Sequence, residues 1–281
     1  MKSLTVVSYN IHKGVSGIRR TPSINGIASS MQSLAPDIIC LQEVVGETKR
    51  VSSKNPLFFA SLRIRPDIRN KFYSYESNNL IQPSKKLSQY AIIAGDDYLT
   101  QCYGKNAEKK NGHHHGNALI SALEIKRWRN LNISTNKLEQ RGCLHGEFEF
   151  STETTKSQSL HALCVHLDLL ERGRMRQLHY IIEYIESEIS SEDPVVLAGD
   201  FNDWNGQATR ILSRYLGLRE AFLDLFGTHA LTFPSRLPLL KLDRIYTRGL
   251  VASSARVLSD PIWRSRSDHV PIVAVFHRES C

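Results

Sequence analysis

Eight short apolar runs, rich in β-branched residues, recur along this chain: "LTVVSYNI", "DIICLQEV", "GNALISAL", "GEFEF", "LHALCVHL", "PVVLAGDF", "KLDRIYT" and "VPIVAVFH". Runs of this length and composition are strand signals. Some follow one another directly and others are separated by stretches with helical spacing. That mixture fits an α+β architecture better than a regular βαβ alternation. Runs this apolar need cover on both faces, which two packed sheets with helices outside would provide. A helix is predicted from Ile24 to Leu34, where Ile24, Ile27, Met31 and Leu34 share a face and Pro36 ends it. A second is predicted from Arg174 to Ile189, with Leu178, Ile181, Ile182, Ile185 and Ile189 on one face. The segment from Leu57 to Tyr103 mixes aromatic and basic residues and reads as part helix, part surface loop.

The ends of the runs carry the chemistry. "VVSYN" finishes in Asn10, "IICLQE" in Glu43, "LCVH" in His166, and "VVLAGDFN" in Asp200 and Asn202. Two later runs begin polar instead, with Asp243 heading "DRIY" and Asp268-His269 heading "HVPIVAVF". In antiparallel pairing the end of one strand lies beside the start of its neighbour, so these groups can converge on one rim. A strand period of two also puts Asp200 and Asn202 on one face and Phe201 on the other. Singly, each is an ordinary turn residue or core histidine. Together they offer oxygen acceptors for a hard cation and two histidines with carboxylates to orient them.

Composition excludes some classes. No apolar run approaches the roughly 18–20 residues of a membrane helix. The opening "MKSLTVVSYNIHKG" lacks the longer apolar stretch and cleavage site of a signal peptide, so it reads as a first strand and the expected location is cytoplasmic. Five cysteines, Cys40, Cys102, Cys143, Cys164 and Cys281, show no zinc or redox spacing, and Cys40 and Cys164 fall in strand-like runs as core thiols. The net charge of +8 is spread over small basic clusters. Such a surface attracts polyanions, whether nucleic acid or acidic lipid headgroups, without naming which.

In their order along the chain, "SYNIH", "LQEV", "GNALIS", "VHLDLLERGRMRQ", "GDFND", "KLDRIY" and "SDHVPI" resemble the motifs of the endonuclease/exonuclease/phosphatase superfamily, the DNase I-like metal-dependent phosphohydrolases. The resemblance spans residues 8 to 272. It implies a four-layer αββα sandwich with the site at one end of two mixed sheets, and one catalytic domain over residues 1–281. Two departures matter. His12 stands where some members carry a carboxylate, which weakens any second-metal arrangement relying on it. His113, His114 and His115 precede "GNALIS", where members differ in their substrate contacts.

The chemistry expected of such a site can be assigned to residues. Mg²⁺, with Mn²⁺ as a substitute, needs only one or two carboxylates beside a phosphate. Glu43 is the first ligand, assisted by Asn10 and Asp268. Asp200 would orient and deprotonate the attacking water, as the resemblance implies. Asn202 would donate to a phosphate oxygen, which a carboxylate cannot do. Asp243 would fix the tautomer of His269 and favour its cation. His166 would approach the phosphate as a donor or general acid. Arg141, Arg174, His115 and Asn117 are the substrate-binding candidates, with Arg174 and Gln177 also suited to bracing the helix after His166. Nucleic acid is the favoured substrate and partner, with an acidic lipid headgroup as the alternative and a non-catalytic binding role a minor one. The 5-phosphatase members carry Pro-x-Trp-Cys beside their Asp-Arg segment; here Pro238-Leu239-Leu240-Lys241 stands instead, within "FPSRLPLLKL", an expected apolar surface loop. Substrate choice should lie in the loops at 46–116 and 227–241.

Overall fold

A computed structural model of the chain describes residues 3–17, 20–46, 88–108, 113–136, 139–150 and 158–278. In chain order its elements begin with β1 (Leu4–Asn10), α1 (Ile24–Leu34), β2 (Ile38–Val45), α2 (Gln89–Ala94), β3 (Thr100–Glu108) and β4 (His114–Ser121). There follow β5 (Ile125–Asn132), β6 (Gly142–Phe150), β7 (Gln158–His166), α3 (Glu171–Glu188), β8 (Val195–Asp200) and α4 (Gln207–Leu216). The last are β9 (Arg219–Glu220), α5 (Ala221–Phe226), β10 (Asp243–Arg248), β11 (Leu250–Val257), α6 (Pro261–Arg264) and β12 (Ile272–Arg278). They make two six-stranded sheets, ordered β11-β12-β1-β2-β4-β3 and β5-β6-β7-β8-β10-β9.

Strand alternation sorts the apolar side chains into three layers. Val6, Ile38, Cys40, Leu119, Phe148, Cys164, Val196 and Ile245 meet between the sheets. Their neighbours Val7, Ile39 and Leu41 point the other way, onto Ile27 and Met31 of α1, Ile93 of α2 and Trp263 of α6. Leu163, Val165 and Leu197 do the same on the second sheet, under Leu178, Ile181 and Ile185 of α3 and Leu212 of α4. The result is a four-layer αββα sandwich whose central strands are covered on both faces, which is why they read as unbroken apolar runs. Each such side chain, removed from water, contributes about 1.5–3 kcal/mol.

The predicted α1 has the expected bounds, and Ala35 in the left-handed region (φ 45°) precedes the Pro36 stop. α3 starts one turn earlier than its apolar spacing indicates, because Leu170 already accepts from the Arg174 amide at 3.0 Å. Strands β3, β5, β9 and β11 are absent from the sequence reading. β5 (IKRWRNLN) and β11 (LVASSARV) are edge strands whose charge and polarity hide their period and blunt an open edge. Residues 57–87 of the mixed aromatic and basic segment lie outside the described residues; its remainder forms α2 and the start of β3. Cys40 and Cys164 are fully buried and free, as are the described Cys102 and Cys143.

Candidate active site

Register delivers the polar groups to one end of the sandwich. β7 and β8 run parallel with His166 beside Asp200, and β10 runs antiparallel with Asp243 opposite Asp200. In the other sheet Asn10 pairs with Gln42 one residue before Glu43, and Ser8 pairs with Ile272, which leaves Asp268 and His269 just ahead of β12 at that same end. Gly199 sets the spacing between His166 and Asp200. Its φ is +151°, and a Cβ there would stand 1.9 Å from the Val165 carbonyl oxygen, so any side chain would push β8 off β7.

Asp200 is the hub of a buried group. Its Oδ2 accepts from Asn10 Nδ2 at 3.1 Å, its Oδ1 accepts from the Asn202 amide at 3.0 Å, and the Nε2 atoms of His166 and His269 each lie 3.6 Å from Oδ2. His269 Nδ1 is bonded to Asp243 Oδ2 at 2.8 Å, the pairing expected from the sequence. Burial raises Asp200; His269 opposes this and Asp243 reinforces it, leaving the carboxyl at about 6. Burial alone would lower His269, but the Asp243 and Asp200 carboxylates outweigh it and raise the imidazole to about 10. His166 goes the other way: burial and the nearby Arg141 guanidinium hold it well below the usual range. It is therefore a neutral imidazole, able to donate a hydrogen bond but poorly suited as the general acid considered above. His269 is the imidazole of the pair that keeps its second proton.

Glu43 and Asp268 are more open. Glu43 sits in the left-handed region (φ 55°) at a bulge between Leu41 and Val44, which turns its carboxylate out of the β2–β4 ladder. Burial would raise this carboxyl, but cationic surroundings, chiefly the Lys13 ammonium bonded 3.2 Å from Oε2, bring it to about 2. Asp268 pairs with His12 Nδ1 at 2.9 Å. His12 and Lys13 reach these partners because both lie in the left-handed region, in a tight turn closed by Gly14 at φ 70°. Gln89 of α2 fixes the turn by donating to the Lys13 carbonyl at 2.7 Å. Asn10 turns its NH₂ toward Glu43 and Asp200 while its Oδ1 accepts from the His12 amide at 3.1 Å. So oriented, it is a donor to carboxylates rather than the metal ligand expected.

The donor chemistry nevertheless fits a hard divalent ion. Glu43 and Asp268 are ionisable oxygen donors near Asn10, and each is satisfied by a nitrogen of the protein, Lys13 Nζ and His12 Nδ1, that an ion could replace. Among the described residues, Asp200, Asp243 and His269 also place ligand atoms within 4.8 Å of one another. That trio is internally spent, since His269 holds a proton and gives Nδ1 to Asp243.

Other expected contacts resolve differently. Arg174 is 1 % exposed and donates from Nη1 to the carbonyls of Asp168 (3.3 Å) and Leu169 (2.6 Å), while its guanidinium stacks over Trp204. It is a brace for the loop after His166, not a substrate contact. Gln177 joins it by accepting from the Asp168 amide at 2.8 Å. Asn117 commits its NH₂ to the carbonyls of Gly142 and Cys164, tying β4 to the second sheet, so this amide group does not reach substrate. Asn202 leaves the strand at φ 49° and donates to the Leu167 carbonyl at 2.9 Å, keeping one N–H in reserve. The extended period assumed for it ends at Asp200. Arg141 ion-pairs with Glu139, and with His115 it lies near enough to His166 to disfavour its cation. Sequence reasoning missed Lys13 and also Phe233, whose ring lies 5.0 Å from His269. Only the glycine after "HK" hinted at a turn presenting the first; nothing in the sequence marked the second.

The sequence matches the family profile described as "Endonuclease/Exonuclease/phosphatase family" over residues 7–269. The chain belongs to this family. Among curated proteins it is 34% identical over 275 residues to "Uncharacterized protein YbhP" of Escherichia coli K12, covering 98% of this chain and 96% of that one. Among solved structures it resembles an endonuclease/exonuclease/phosphatase from Beutenbergia cavernae (TM-score 0.68, 16% identity, 100% of this chain and 72% of the other). It also resembles D. rerio TDP2 complexed with single strand DNA product (TM-score 0.63, 15% identity, 99% of this chain and 100% of the other). At these identities the structures establish the fold: a DNase I-like sandwich of a family with phosphohydrolase members.

Proposed function

We propose that this endonuclease/exonuclease/phosphatase family member is a divalent-metal-dependent hydrolase of phosphate diesters. The observation that carries the reading is Asp200, a carboxyl at about 6 held between His166 and His269 beside two open carboxylates. A group titrating near neutral pH can accept a proton and give it up again each turnover.

Glu43 and Asp268 would hold the ion, Mg²⁺ or Mn²⁺, and Asn10 would join them only with its amide reversed. Such an ion supplies charge neutralisation at a phosphoryl oxygen. The chain's own residues supply the rest. Asp200 takes a proton from water as its oxygen bonds to phosphorus and the phosphorus–alkoxide bond breaks. His269, cationic and fixed by Asp243, stabilises the charge gathering on phosphate and has a proton for the leaving oxygen. His166 and the remaining Asn202 N–H donate to non-bridging oxygens.

The basic charge supports a polynucleotide as the diester. A second reading, a lipid-borne headgroup, is favoured by the exposed leucines of the loop at 231–240. The test is hydrolysis of bis(p-nitrophenyl) phosphate and nicking of supercoiled plasmid, each with Mg²⁺ and with EDTA, beside Asp200→Ala. Metal-dependent turnover that vanishes in the variant supports a diesterase, and nicking extends it to DNA. A wild type inert toward both, with Mg²⁺ bound, removes DNA as the substrate and leaves the lipid headgroup or a binding protein.

A further inference from the structure

Large apolar side chains stand exposed on segments that connect the strands at the same end as Asp200. Leu169 and Leu170 follow β7, Trp204 follows β8, Leu237, Leu239 and Leu240 precede β10, and Ile262 lies ahead of β12. Leu170, Leu237 and Leu239 are 71%, 65% and 63% exposed. Single exposed leucines are ordinary on a surface; several on segments at one end of the fold mark an interaction site.

Their backbones are pinned. Leu239 and Leu240 donate to the Phe233 carbonyl at 2.8 Å, and Thr232 donates to the Leu240 carbonyl at 2.9 Å. Ser235 Oγ donates to the Ser267 carbonyl at 2.7 Å, and the Ser235 amide to that of Asp268 at 2.6 Å. The leucine loop is thereby bolted to the Asp268–His269 corner, and Arg264 Nη1 donates to the Arg236 carbonyl to hold the Ile262 turn against it. Across the cleft, Asp168 Oδ1 accepts from Leu170 at 3.0 Å and Arg174 bridges Leu169 to Trp204. Rigid loops holding apolar side chains in water have lost the option of folding them away.

Arg172, Arg176, Arg236 and Arg264 are exposed on these same segments. Leucine beside arginine around a phosphate-handling cleft complements an anionic lipid bilayer. Apolar tips enter the acyl boundary, and each guanidinium adds about 1 kcal/mol at an anionic surface. Polynucleotide recognition would instead call for aromatic platforms, since bases stack on π faces. Trp204 is the one aromatic side chain in this set, and Arg174 already covers a face of it.

From this placement we infer that the apolar rim is a docking surface for anionic bilayers, and that it presents a lipid-borne phosphodiester to Asp200. The second half rests on the hydrolase reading; the docking itself does not. The experiment is co-sedimentation of full-length Asp200→Asn protein, whose turnover is expected to be about a thousandfold slower, with phosphatidylcholine vesicles with and without phosphatidylglycerol. It is repeated in the L237S/L239S and R236Q/R264Q backgrounds, with circular dichroism to verify folding. Strong binding to anionic vesicles is expected, at least about tenfold weaker in the leucine variant. The arginine variant is expected to lose the preference for phosphatidylglycerol. Three results overturn the inference: a wild-type rim that ignores anionic vesicles, binding that survives the leucine substitutions, or leucine variants that instead lose a single-stranded oligonucleotide or a self-association seen by light scattering. Because binding is read without turnover, docking stands or falls independently of the diesterase assay.

Discussion

Four carboxylates meet at one end of this sandwich, and they are treated in two ways. Glu43 and Asp268 are partly solvent-exposed, and each holds a side-chain nitrogen, of Lys13 and His12 respectively. Asp200 and Asp243 are 2% and 0% exposed and bond to amides and an imidazole. The open pair can exchange partners with little rearrangement, because exposed ion pairs are worth only about 0–1 kcal/mol. The sealed pair is fixed, because an unpaired buried charge costs several times that. In the proposed reaction, ion capture and proton handling would thus be divided between two environments separated by Asn10, which touches one carboxylate of each.

Substitutions in the sealed pair should have the largest effects. Asp200→Asn removes the proton acceptor while keeping size, and diester turnover is expected to fall about a thousandfold with an unchanged circular-dichroism spectrum, since positioned proton transfer is worth about 10²–10⁴. A residual rate near wild type would transfer the role elsewhere. Asp243→Asn should cost roughly a hundredfold at mildly alkaline pH, within the same range. Its sharper signature is the pH–rate profile: without Asp243 the His269 imidazole drops from about 10 toward the ordinary value, so the alkaline limb must move to lower pH. An unmoved limb would detach His269 from it.

Acid should also weaken a region away from the site, and that bounds how far any pH profile of the site can be read. His145, bonded to Tyr184 and His161 under α3, is driven by burial to about 3, and His229 by burial to about 4. Both are neutral when folded and protonate near pH 6.5 when unfolded. The contribution of these two histidines to stability is therefore complete above pH 6.5, declines as pH falls, and levels off below the folded values. The steepest slope is about 1.4 kcal/mol per pH unit for each histidine. Urea midpoints measured from pH 7.5 to 4.5 test this, and His145→Asn should flatten the dependence. The smallest effect concerns the open pair. Lys13→Met removes the ammonium that an incoming cation must displace from Glu43, and calorimetric Mg²⁺ affinity should tighten by up to about fivefold. Weaker binding would mean that Lys13 helps to organise the ion site.

The strands that carry Asp200, His166 and Asp243 were legible because both their faces are buried, so composition and run ends survive in the sequence. The convergence of their ends then followed from pairing. Edge strands were not legible: β5 alternates charge with half-buried residues, and β3 is polar over most of its length. Residue types at the site were readable, but their orientation was not. Whether Asn10 offers oxygen or nitrogen, and whether Arg174 turns inward, depends on carbonyls and carboxylates brought in from distant segments. The bulge that exposes Glu43 is a property of the β2–β4 pairing rather than of β2 itself.

The place of β12 in its sheet has a consequence for how the molecule is made. β1 pairs on one side with β2 and on the other with β12, Leu4 lying opposite Phe276. A chain leaving the ribosome therefore holds its first strand half-paired through most of synthesis, with one hydrogen-bonding edge open until the late strand arrives. Contacts so distant in sequence are closed slowly, and the waiting edge is a template for aggregation. Asp268 and His269, which precede β12, join Asp200 and Asp243 at nearly the same moment that the edge is sealed.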